Sequence, residues 1–155
     1  MKKFFLLFAA VIMTAFVYAQ SNKEEVDLLQ AAFGMDKKAA VADFVKPSAE
    51  QKDAFWKLYD EYETQRKALG KERIALLEQY AAHYQDMTSA QADALTTKVI
   101  ALQKKTDNLI GLYYTKIKLV SNGLVATQFY QIENFILTGI RMELLKKVPF
   151  VQNKK

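Results

Sequence analysis

The chain contains two prolines, Pro47 and Pro149. Between them no residue fixes φ or removes an amide donor, so helices can run uninterrupted. Pro47 disfavours the α conformation at Lys46. Ser48 follows, with Gln51 three residues on, the spacing of a capping box. Apolar residues then recur at Phe55, Tyr59, Tyr62, Leu69, Leu77, Tyr80 and Tyr84, close to the 3.6-residue repeat of one helix face. Trp56, Leu58, Ile74 and Leu76 widen the stripe. The spacing predicts a helix from Ser48 to about Tyr84, spanning about 55 Å. That length implies an elongated molecule or a partner chain.

The rest of the chain repeats this pattern. Thr88 and Gln91 have capping-box spacing. Leu95, Val99, Leu102, Leu109, Leu112 or Tyr113, and Lys116 or Ile117 carry a stripe to about Val120. Ser121-Asn122-Gly123 reads as a turn. A last helix is expected over 124–147 on Val125, Phe129, Ile132, Ile136, Ile140 and Leu144. Lys146 and Lys147 suit its C-terminus, Pro149 stops it, and Phe150-Val151 is placed to fold back. Upstream, Ser21 to Phe33 and Asp36 to Val45 read as short helices, the second with Ala40, Val41 and Phe44 as its apolar side. Nothing reads as a strand. The expected fold is all-α: an elongated antiparallel bundle or hairpin of three long helices with short N-terminal helices.

Residues 1–19 read as a secretory signal peptide: Lys2 and Lys3, an apolar run from Phe4 to Val17, and small Ala19 at the cleavage position. The run is too short for a membrane span. Residues 20–155 then form a single helical domain, exported and periplasmic. The chain has no cysteine, which excludes disulfides and thiolate metal sites. Charge is divided. Residues 20–93 hold ten Lys/Arg against fourteen Asp/Glu, and residues 94–155 hold ten against three. A basic half attracts acidic polymers, lipid head groups or acidic unfolded segments. Export argues against nucleic acid as the partner.

Candidate special residues are few. Arg66 and Arg73 sit seven apart in gaps of the first stripe. Either their stems cover apolar surface with the heads in water, or they pair internally with a carboxylate. Glu133 is the candidate acid, because Phe129, Ile132 and Ile136 surround it and a buried carboxylate requires a partner. Gly70 lies mid-helix, at a cost of about 1 kcal/mol relative to alanine. His83 is the only histidine, a poor basis for a zinc or copper site. No serine or threonine has an evident oriented base, and the glycines form no phosphate-cradling loop. The sequence therefore offers no catalytic residue and no cofactor or metal site. Adjacent Tyr113 and Tyr114 cannot both face one core, so some aromatic surface is expected outside.

Two segments, Pro47-Ser48-Ala49-Glu50-Gln51 and Met87-Thr88-Ser89-Ala90-Gln91, approximate the LTxxQ helix start. Leu124-Val125-Ala126-Thr127-Gln128 keeps only its Leu and Gln. With the Phe55-Trp56, Tyr59, Tyr62 run, the segment Phe129-Tyr130-Gln131-Ile132-Glu133-Asn134 and the Val148-Pro149-Phe150 ending, the chain resembles an uncharacterised branch of the Spy/CpxP family of periplasmic proteins. The resemblance covers most of residues 20–155. It implies a thin helical cradle, often dimeric, that acts as an ATP-independent chaperone or in envelope stress response. It also implies a client surface of basic and apolar residues. Lys98, Lys104, Lys105, Tyr113, Tyr114, Lys116 and Lys118 are the candidates here. The expected partners are protein clients, or alternatively one defined envelope protein. Some relatives bind metal through histidines, which this chain lacks apart from His83.

Overall fold

The computed structural model describes residues 37–151. The expected signal peptide and the short helix expected over 21–33 lie outside the described residues. Four helices follow in order: α1 (Lys37–Phe44), α2 (Ala49–His83), α3 (Ser89–Val120) and α4 (Gly123–Lys146). The fold is all-α, with no strand among the described residues. α3 packs along α2 and along α4, and α1 lies on α4.

Capping sets the boundaries. The Ser48 N–H donates to Gln51 Oε1 at 3.2 Å, while the Ser48 hydroxyl turns to Glu50. The Thr88 N–H donates to Gln91 Oε1 at 2.8 Å, and the Gln91 N–H returns to Thr88 Oγ1 at 3.3 Å. α4 starts on Asn122, whose Oδ1 accepts from the amides of Leu124 and Val125 at 2.9 and 3.0 Å. Three otherwise orphaned helix starts are thereby satisfied by their own sequence.

The core gathers at the α1 end. Phe55, Tyr59 and Tyr62 of α2 meet Tyr113 and Ile117 of α3, Val125, Ala126, Phe129 and Ile136 of α4, and Val41 of α1. The rings interlock edge to face. Tyr62 lies 5.2 Å from Phe129 and 5.5 Å from Tyr113 between centroids, and such pairs add about 0.5–1.5 kcal/mol to area burial.

Where the stripe leaves alternatives open, Tyr113 and Ile117 face inward, while Leu112 is exposed and Lys116 half-buried. On α1 the inward side is Lys37 and Val41, continued by Val45 just beyond the helix, rather than one including Phe44, which is exposed. Val99 is likewise exposed. α2 continues through Gly70 without a break. At the far end Leu77, Tyr80 and Tyr84 are only half-buried. There the C-terminal segment folds back, and the Tyr80 hydroxyl donates to the Pro149 carbonyl at 2.6 Å.

Candidate functional site

Two chemically distinct regions stand out: a buried charge network at the core, and an outer face that combines apolar and basic side chains. Glu133 is fully buried on α4, as its apolar neighbours predict. Its cation is Lys37, however, not Arg66 or Arg73. Lys37 Nζ donates to Glu133 Oε2 at 2.8 Å, the Tyr62 hydroxyl donates to the same oxygen at 2.7 Å, and Lys37 also bridges to Glu63. Arg66, only 3 % exposed, closes on Glu63, with Nε to Oε1 at 2.7 Å. Among the described residues, two cations and two carboxylates thus balance one another in one largely buried site, the arrangement that makes buried charge tolerable. The Tyr59 hydroxyl faces the same carboxylate but has no hydrogen-bond partner among the described residues, and neither has Glu133 Oε1. Lys37 Nζ also lies 5.6 and 5.3 Å from the Tyr59 and Tyr62 ring centroids, within cation–π range.

The network shifts its members. Burial raises the Glu63 carboxyl, but Lys37 and Arg66 outweigh it and hold it below the usual carboxylate range. Burial first, then the Glu133 charge, drives the Tyr59 and Tyr62 phenols far above their ordinary value.

Lys37 and Glu63 are absent from the candidates that the sequence offers. Lys37 is in register with Val41 and Val45 at i, i+4 and i+8, so a charge on the core face of α1 is a readable signal. Arg73 stands apart from this network. Its Nη2 donates to Gln103 Oε1 on α3 at 3.0 Å.

The predicted partner surface divides. Tyr113 is removed from it: the side chain is 1 % exposed, its hydroxyl accepts from Gln65 at 2.7 Å, and Lys116 Nζ lies 4.6 Å from its ring centroid. Tyr114 is half-buried and packs edge-on against Tyr130. Lys98 and Lys105 turn toward α2 and border a groove with Glu72, Leu76 and Gln79, where Lys105 pairs with Glu72 at 3.4 Å. Lys104 and Lys118 fall on another side of α3 with exposed Ile100, while exposed Leu112 and Leu119, seven and fourteen residues on from Lys105, follow the Lys105 side. On α4 the 3.6-residue repeat lines up Leu124, Phe135 and Met142 away from the core. Leu119 and Leu124 are 82 % and 79 % exposed.

At the far end, an apolar cavity of about 320 Å³ opens between α2, α3 and the C-terminal segment, with Leu76, Leu95, Leu145 and Phe150 among its lining. His83 is exposed in the last turn of α2. Among the described residues no group of three or more His, Cys, Asp or Glu is placed to hold a metal ion, and no helix is long and apolar enough to cross a membrane.

No family model, curated protein or solved structure matches the chain.

Proposed function

We propose that the protein is an exported helical binding protein that holds partly unfolded protein clients without ATP, in the manner of the Spy/CpxP family it resembles. The observation that carries this reading is the outer face of α3 and α4. Ile100, Leu112, Leu119, Leu124 and Met142 are all at least half exposed, and Lys104 and Lys118 lie among them. Apolar side chains presented in number beside cations suit segments that are both greasy and acidic. Lys98, Lys105 and half-buried Tyr114 extend the basic and aromatic character of α3.

The test is light scattering of a chemically denatured client diluted into buffer with and without the protein, at low and high salt. Suppression near equimolar ratio, weakened by salt, is the expected result, because exposed cations are screened. Suppression indifferent to salt assigns binding to the apolar side chains. No suppression with several clients removes the holding function and favours an assembly module with one defined envelope partner, recoverable as a single species by pull-down.

A further inference from the structure

Between α2 and α4, over α3, lies a small cavity of about 40 Å³ whose lining holds Arg66, Arg73 and Arg141, together with Gly70, Thr106 and aliphatic side chains, and no carboxylate. Arg66 is paired with Glu63. The other two guanidiniums have no ion-pair partner among the described residues. Arg73 makes its hydrogen bond to Gln103, which in turn donates to Asp107 at 2.7 Å, so Asp107 reaches Arg73 only through an amide. Arg141 Nε is buried and has no hydrogen-bond partner among the described residues.

Two cations drawn together beside apolar walls repel each other and lose hydration. Consistent with this, burial and then the Arg141 charge pull the Arg73 pKa down, with Asp107 opposing. A guanidinium fork matches a planar or tetrahedral oxyanion in two parallel hydrogen bonds. One water needs about 10–15 Å³ by the same measure of volume, so the cavity accommodates roughly three to four oxygen-sized positions.

We propose that this cavity binds one small oxyanion, a phosphate or carboxylate group, between Arg73 and Arg141. The site is independent of the client-holding face and stands or falls separately from it. Thermal unfolding of the intact protein in sodium phosphate, sodium acetate and sodium chloride at matched ionic strength tests it. A midpoint several degrees higher in phosphate or acetate than in chloride is expected, and the anion that acts identifies the group.

Arg73→Gln and Arg141→Gln should each weaken that anion's effect roughly tenfold or more, since a charge-assisted hydrogen bond is lost. Arg141→Gln should not lower the midpoint in chloride, because it removes one of two repelling charges, whereas Arg73→Gln also gives up the hydrogen bond to Gln103, so its anion effect is read against its own midpoint in chloride. An equal midpoint in all three salts overturns the proposal, as does an anion effect that survives both substitutions. Should a variant not fold, phosphate and acetate binding to the unaltered protein by isothermal titration still decides: heat of binding from neither removes the site.

Discussion

Glu133 sits in an apolar shell and is held from two directions, by an ammonium from α1 and by a phenol from α2. Removing one partner of such a group is costly, because the others stay buried and unbalanced. Glu133→Gln is expected to destabilise the fold by about 3–5 kcal/mol, on the order of 10 °C in melting temperature for a domain of this size. A change below about a degree in a thermal melt would remove the network from the stability argument. Tyr62→Phe deletes only a hydrogen bond to a carboxylate, and the expected loss is about 1.5–3 kcal/mol, read by chemical denaturation. That Glu133 is buried is legible from Phe129, Ile132 and Ile136. Its partner is not, because Lys37 lies 96 residues away and local periodicity carries no information about which cation crosses the bundle. Arg66 and Arg73 are credible from sequence only because they occupy the stripe. Arg66 finds an acid one turn away on its own helix, at i−3.

At the scale of elements, the three long helices can be read almost to the residue, since each begins on a side chain whose capping chemistry is local. Thr88→Ala should cost about 1 kcal/mol, measured as a shift in urea midpoint at constant slope. Gly111 lies inside α3, and a β-carbon added there would meet nothing within 4 Å. Gly111→Ala should therefore raise stability by about 0.5–1 kcal/mol, and a decrease in the same experiment would show that α3 is approached there. Asn122 reads as part of a turn in the sequence although it is the α4 cap; turn and cap use the same asparagine chemistry, and only the following amides distinguish them. Lys98 and Lys104 group together by closeness in sequence, but six residues of helix place them on different sides of α3.

Over the whole molecule, pH acts on both flanks of stability. The folded Glu63 pKa lies below its ordinary 4.5, so its contribution is complete above that value and is lost as acid carries the pH down through the folded pKa. The Tyr59 and Tyr62 values lie above the ordinary 10.0. Their contribution is complete below pH 10 and is lost as the pH rises beyond it. The melting temperature should be nearly flat between about pH 6 and 9 and fall on either side. In an alkaline absorbance titration Tyr59 and Tyr62 should ionise only with unfolding; their smooth titration in the folded protein would contradict their burial. The same network fixes the behaviour of α1. A helix of eight residues is too short to persist by its own hydrogen bonds and, left to itself, would exchange its amide hydrogens within moments. Detaching it, however, strips Lys37 from Glu133 and Glu63 and bares the Tyr59 and Tyr62 rings. The amides of Val41 and Val45 should therefore exchange as slowly as those around Tyr62, making the smallest helix part of the last unit to open rather than the first.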